Sequence, residues 1–383
     1  MTLPLLFTPW TNRGVTLKNR VVVAPMHQYA ADRGFITDWH LMNAGRFAAG
    51  GAGMVMVEST KVERRGCGTL GDTGLWDDAF IPGMKRVADL IRANGSVPAI
   101  QIGHSGRKAR RFRPWEGGAP LVQSPAITDW EAWELVGPSA EIGDAGDPMP
   151  RALTRDEIPQ VVQHWADAAR RADAAGFDVL EIHGAHGYLF DQFFWDATNL
   201  RSDRFGGPDI KDRARFAVDV VSAIREAVGP DYAIIFRVSQ WKTYQYEAKI
   251  ARTPQELERW LVPLADAGVD IFHGSDRRFW EHAFPEHGDY NLAGWAKKVT
   301  GKPAITVGSV GLDRDLMQDF VSGESAPTLK SLDELARRFD RGEFDLVALG
   351  RVLLADPNWL TKVREGRFSE LQPYSKECMD TLF

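Results

Sequence analysis

The stretch Ala174-Ala175-Gly176-Phe177-Asp178-Val179-Leu180-Glu181-Ile182-His183-Gly184-Ala185-His186-Gly187-Tyr188 holds, in order, a helix end, a strand and a polar cluster. Ala-Ala-Gly is the kind of small-residue turn that closes a helix before a strand. The run at 177–182 is short, apolar and bounded by turn residues, as in a strand buried on both faces. Two histidines and a tyrosine then follow, separated only by small residues, where the strand's C-terminal end meets a loop. Two neutral imidazoles can donate hydrogen bonds to one ligand oxygen, and a tyrosine can give up a proton without being charged at pH 7. That set suits a site that grips a carbonyl-like oxygen and protonates a nearby carbon. A packed strand end or a metal-ligand pair would use the same residues.

The same unit recurs along the chain. Apolar runs at 21–24, 53–58, 97–102, 177–182, 232–238, 269–273, 303–307 and 344–349 read as eight strands. Helical patterns lie near 39–49, 79–94, 155–175, 211–227, 253–267, 291–299, 311–318 with 331–341, and 356–365. Strands that alternate with helices pair in parallel, and eight such units favour an α/β fold, a closed (β/α)₈ TIM barrel. A doubly wound sheet is the alternative, but no Gly-x-Gly-x-x-Gly opens a first helix. The expectation is a single domain over 1–383. Residues 1–20 would cap the bottom of the barrel, 103–153, 240–252 and 274–290 would form long loops on its active-site face, and 366–383 a C-terminal tail. Trp241, Tyr244, Tyr246, Phe279, Trp280 and Phe284 in these loops could wall a pocket or pack on each other.

Composition narrows the class. With 44% hydrophobic and 26% charged residues the chain reads as a soluble globular enzyme. A net charge of −6, without a long run of like charges, points away from nucleic acid and anionic membrane surfaces. The cluster Arg107-Lys108-Ala109-Arg110-Arg111-Phe112-Arg113 is the local exception, as a solvated loop or an attraction for an anionic ligand. Cys67 and Cys378 stand far apart with no Cys-x-x-Cys pair, which argues against a disulfide framework, structural zinc or a cysteine-ligated iron–sulfur cluster. The N-terminus lacks a basic n-region and a long apolar core, and no transmembrane run is present, so a cytoplasmic location is expected.

In a barrel the residues ending the strands converge on one face. Here they are Pro25-Met26-His27 with Tyr29, Ser59-Thr60, Gln101 with His104, His183, His186 and Tyr188, Arg237, Gly308-Ser309-Val310-Gly311 and Gly350-Arg351. Glycine turns after strands seven and eight, each backed by a helix start, offer backbone N–H groups to a phosphate. Arg351 adds a cationic fork. Gln101 can present an amide to a flat heterocycle, and a buried Arg237 asks for an anion or an electron-rich ring. Phosphate, planar ring and cation together describe flavin mononucleotide.

Several segments carry a family likeness: Leu17-Lys18-Asn19-Arg20-Val21, Ala24-Pro25-Met26, Gly103-His104-Ser105-Gly106-Arg107-Lys108, Glu181 to Leu189, Asn199-Leu200-Arg201-Ser202-Asp203-Arg204-Phe205-Gly206-Gly207, and Leu349-Gly350-Arg351. By these the chain resembles the old yellow enzyme family of FMN-dependent ene-reductases, nearly from end to end, and most of all its bacterial xenobiotic-reductase branch. The resemblance implies FMN contacts from Ala24, Pro25, Met26, His27, Ser59, Gln101, Arg237, Gly308, Gly350 and Arg351, with Ser309 in the same phosphate turn. It implies that His183 and His186 bind the substrate's activating oxygen, that Tyr188 donates the proton and that Tyr29 lines the pocket. NADH or NADPH would be the reductant, and activated C=C bonds of α,β-unsaturated carbonyl or nitro compounds the target. No metal is implied; the partner is a small molecule, and a homodimer or larger homo-oligomer would be in keeping. The alternative is a dehydrogenase or demethylase acting oxidatively on an amine or cyclic substrate, but such relatives commonly carry iron–sulfur cysteines and extra domains. Two departures stand out. His27 replaces the usual cysteine or threonine beside the flavin, and the loops 240–252 and 274–290 are long and aromatic for the branch.

Overall fold

A computed structural model describes residues 3–379 of the chain, except 126, 144–145, 244, 316–317 and 319–323. Eight strands form the centre: β1 Val21–Val23, β2 Met54–Lys61, β3 Val97–Gly103, β4 Val179–His186, β5 Ala233–Lys242, β6 Ile271–Ser275, β7 Ala304–Val307 and β8 Leu346–Leu349. All pair in parallel with their sequence neighbours, and β8 returns to β1 with Val347 opposite Val21, which closes the barrel. Each of the eight apolar runs is a strand of this ring.

Alternation along the strands sorts the core into two layers. Val22, Met54, Met56, Ala99, Val179, Ala233, Ile235, Ile271, Ile305, Leu346 and Ala348 pack together in the barrel interior. Their neighbours Val21, Val23, Val55, Ile100, Leu180, Ile234 and Val347 face outward into the layer beneath the helices. That is period-two geometry, with both faces buried as a parallel sheet requires. The hairpin Trp10–Asn12/Val15–Leu17 brings Leu17, Trp10 and Val15 against the inner cluster.

The outer helices are α1 Asp38–Ala49, α2 Ile81–Ala93, α3 Ile158–Ala174, α4 Arg215–Val228, α5 Pro254–Ala267, α6 Leu292–Thr300, α7 Leu329–Asp340 and α8 Trp359–Arg364. The 211–227 pattern is broken into Ile210–Arg213 and α4, the first piece capped by the Asp209 side chain, which accepts from Lys211 N–H. The 311–318 pattern begins in turns stapled by Leu312–Pro327 pairing, and its remainder falls partly outside the described residues. A short helix at Arg351–Ala355, following β8, had no separate signal in the sequence. The tail contributes Tyr374–Ser375, which pairs antiparallel with Glu324–Ser325. Among the described residues no helix is long and apolar enough to cross a membrane.

Candidate active site

Strand register aligns the polar residues at the mouth of the barrel. Gln101 lies opposite Glu181, His183 opposite Arg237, and Arg237 opposite His273. The sequence reading put both histidines after the fourth strand. They are in fact its last turns of chain, because β4 runs on to His186 through a register shift between Gly184 and His186. His186 and Gly187 take positive φ of 64° and 79°, and this left-handed kink swings the chain toward Tyr188. A bulge at a strand end is a common way to re-aim a side chain.

The kink gathers three rings. His183 stands edge-on to His186 at 5.1 Å between centroids and edge-on to Tyr188 at 5.0 Å. Both imidazoles are held well below the ordinary histidine range. For His183 the causes are burial, then His186 and Arg237; for His186 they are burial, then Arg237 and Lys108. Both are therefore neutral, each with one N–H to give. His183 Nδ1 accepts from Ala185 N–H at 3.3 Å, which leaves the proton on Nε2. His186 Nε2 lies 2.8 Å from Ser275 Oγ, which also accepts from Arg237 at 3.2 Å. An arginine can only donate, so the Ser275 hydroxyl is free to donate to Nε2 and leave the His186 proton on Nδ1.

Beneath these rings lies a buried network. Glu181 accepts from Gln101 Nε2 at 2.7 Å and pairs with His273 Nδ1 at 2.6 Å, with all three side chains inside the barrel. Burial works against the Glu181 charge, but His273, Arg237 and Gln101 outweigh it and hold the carboxyl below its usual range. Gln101 gives one amide N–H to Glu181 and keeps a second N–H and its carbonyl oxygen for other partners. Arg237 is 8% exposed, and its Nε has no hydrogen-bond partner among the described residues.

The ends of β1, β7 and β8 meet on the other side. A Cβ on Gly350 would sit 3.3 Å from Met26 Sδ, so these strand ends are in contact. Gly308 has φ of 129°, and a Cβ there would lie 2.4 Å from the Asp276 carbonyl oxygen, so only glycine fits. Ser309 Oγ donates to Arg277 O and accepts from Arg351 at 3.0 Å. Gly350 opens the short helix Arg351–Ala355. Ser59 lies on β2, where its Oγ accepts from Lys61. His27 stacks on Tyr29 at 5.2 Å, and the ring of Trp115 meets Tyr29 edge-on at 5.5 Å.

The model of the NADH:flavin oxidoreductase / NADH oxidase family matches residues 5–370. The chain belongs to this family. An NADH:flavin oxidoreductase of Gibberella zeae is 38% identical over 247 residues, 64% of this chain and 59% of that relative, so the likeness spans less than two thirds of it. An NADPH dehydrogenase of Geobacillus thermodenitrificans is 32% identical over 357 residues, 93% of this chain and 92% of the relative. The structure of morphinone reductase in complex with tetrahydroNAD superposes with a TM-score of 0.76 at 26% identity, covering 98% of this chain and 93% of that one. The resemblance to old yellow enzymes is thus upheld, and the protein is an FMN-dependent oxidoreductase that draws on a nicotinamide reductant.

The residues of this oxidoreductase fit FMN. The orphaned Arg237 Nε is a buried cation in want of an electron-rich partner, and the Gln101 oxygen is an acceptor for a ring N–H. The Gly308–Ser309 turn, the Gly350 helix start and Arg351 converge where a phosphate would be held. Ala24, Pro25, Met26, His27 and Ser59 line the same mouth at the ends of β1 and β2. Not every strand-end residue joins them. His104 bonds to Glu63 at 2.8 Å, and the Thr60 hydroxyl is spent on Glu58 O.

Several residues at the mouth had no signal in the sequence. Glu181 and His273 looked like ordinary strand residues, Lys61 lay just past the second apolar run, Ser275 fell in the 274–290 loop, and Trp115 sat in an irregular loop. Of the loop aromatics, Trp241 tilts over His186 at 4.6 Å and donates to Ser275 O, while Phe279 and Phe284 are core. Tyr246 lies under Arg277 at 4.3 Å. Tyr244 falls outside the described residues.

Proposed function

We propose that this oxidoreductase is an ene-reductase, acting on activated C=C bonds of α,β-unsaturated carbonyl or nitro compounds. Bound FMN supplies the hydride that NADH or NADPH provides. His183 Nε2–H and His186 Nδ1–H together hold the activating oxygen. Both are neutral, so they strengthen as negative charge grows on that oxygen, which lowers the barrier rather than merely tightening binding. Tyr188 gives its proton to the α-carbon, and Lys61 and Lys108, 5.9 and 5.6 Å from its ring centre, face the charge left on the phenolate. Tyr29 and Trp115 on one side and Trp241 on the other favour flat, conjugated substrates. A homo-oligomer is compatible with this reading.

The observation that carries the proposal is the three-ring cluster of His183, His186 and Tyr188, two neutral donors beside one proton source. The test is to separate the half-reactions by anaerobic stopped flow, with NADPH and then 2-cyclohexen-1-one. Tyr188→Phe should leave flavin reduction within a factor of a few and slow its reoxidation by the enone about 10²-fold or more. Equal loss in both half-reactions would remove Tyr188 from the chemistry.

A further inference from the structure

His27, in the segment that follows β1, and Lys61, at the end of β2, meet at the barrel's C-terminal end. Lys61 is the last residue of β2 and only 2% exposed. Its Nζ lies 3.2 Å from His27 Nε2, 3.2 Å from Ser59 Oγ and 3.5 Å from Asp72. Asp72 is itself tied down, accepting from Gly68 N–H and the Thr69 hydroxyl. An ammonium has hydrogens to donate and no lone pair. Nε2 of His27 must therefore be the acceptor, which places the imidazole proton on Nδ1. Among the described residues Nδ1 has no protein partner, so the structure leaves it for a ligand.

We propose that Lys61 and His27 act as one unit, in which the lysine fixes the tautomer of the imidazole and sets a positive charge behind it, so that His27 offers a neutral, polarised Nδ1–H to the flavin and favours its reduced form. This rests on FMN lying at the mouth. Lys61 is a positioning residue here, acting through His27. The charged groups around the pair are Lys61 itself, Asp72 and, farther off, Glu58. Burial and Lys61 push the His27 titration down while Asp72 and Glu58 push it up, and the net shift is downward. The imidazole thus stays neutral through neutral pH, and the charge that the flavin senses is the lysine's. A cysteine or threonine at this position could give a hydrogen bond but could not relay a cation in this way.

Two readouts test it. The first is ¹⁵N NMR of the unmutated, FMN-loaded protein labelled at histidine, with His27 assigned by its loss in His27→Asn. His27 should appear as the Nδ1–H tautomer with no titration between pH 6 and 8. The second is the flavin midpoint potential in Lys61→Met, Lys61→Arg and His27→Asn and in the double variant. Lys61→Met should weaken the preference for reduced over oxidised FMN about tenfold, about 30 mV for a two-electron couple. Lys61→Arg should restore it, and Lys61→Met should have little effect once His27 is Asn. An Nε2–H or protonated His27 would overturn the proposal. So would a Lys61→Met shift that persists in the absence of His27, since the charge would then act alone. The tautomer is read without mutating Lys61, so misfolding of that variant leaves the test intact. Failure to reduce enones with a normal tautomer and potential would count against the ene-reductase reading only.

Discussion

Ser275 Oγ lies 2.8 Å from His186 Nε2 and turns a strand-end imidazole into an oriented donor. Through the same oxygen it accepts from Arg237, so the group expected to meet the flavin and the group expected to grip the substrate share one hydroxyl.

Ser275→Ala should therefore act mainly on substrate handling. Without the hydroxyl, His186 is free to place its proton on either nitrogen, and one hydrogen bond to a developing charge is worth about 1–1.5 kcal/mol. The enone KM, or kcat/KM, should worsen about tenfold, while reduction by NADPH changes little. A large loss confined to reduction by NADPH would contradict the assignment.

Trp115 is 65% exposed, and its recorded ring partner is Tyr29. An edge-to-face pair contributes about 0.5–1.5 kcal/mol beyond its buried area. Trp115→Ala should leave thermal stability nearly unchanged and raise KM for bulky aromatic substrates more than for small enones. Kinetics across a size series would show the difference.

His183 and His186, the two histidines proposed to hold the substrate, are held below the free imidazole pKa of about 6.5. They stay neutral in the folded state as pH falls past that value, so the acid limb of kcat/KM for the enone should lie well below pH 6.5. The unfolded chain does take up protons from about pH 6.5 downward, so these same residues erode stability over that range. A pH–rate profile with an acid limb at 6.5 would show that one of them titrates freely.

Glu63 accepts from His104 at 2.8 Å and pairs with His164 at 3.1 Å and with Arg65 at 2.8 Å. Burial raises its pKa, but the bonds from both histidines outweigh that and bring it far below the usual carboxylate range. A depressed carboxyl stabilises the fold above the unfolded pKa of about 4.3, and that contribution is lost as pH falls below it. Glu63→Gln should destabilise by about 3 kcal/mol at pH 7 and by somewhat less at pH 3, where only the upper part of the window has been crossed. Chemical denaturation at the two pH values checks the difference.

The barrel was legible because burial on both faces forces β-branched and apolar residues into short continuous runs, as at Val21-Val22-Val23 and Val179-Leu180. The glycine turns at 308–311 and 350 were legible because a tight corner after a strand, with positive φ at Gly308 and Gly311, is announced by glycine. The partnerships were not. Ser275 and His186 belong to different strands, Lys61 on β2 meets His27 in the segment after β1, and no local period records which side chains a closed ring brings together. Lys61 was hidden further by its setting, since a cation just past an apolar run reads as an exposed residue although it is buried. The fourth strand's extension through His186 also left no trace, because a bulge in a histidine–glycine stretch looks like a loop.

Closure of the barrel by pairing β8 to β1 has a consequence for how the protein is made. Met26 and Gly350 touch, yet they come from opposite ends of the chain. A ribosome delivers β1 early and β8 almost last. Until the final strand docks, the nascent chain has an open sheet edge. Closure of the ring is thus a late event, and the contacts that join β1 to β8 form only when the last strand is in place.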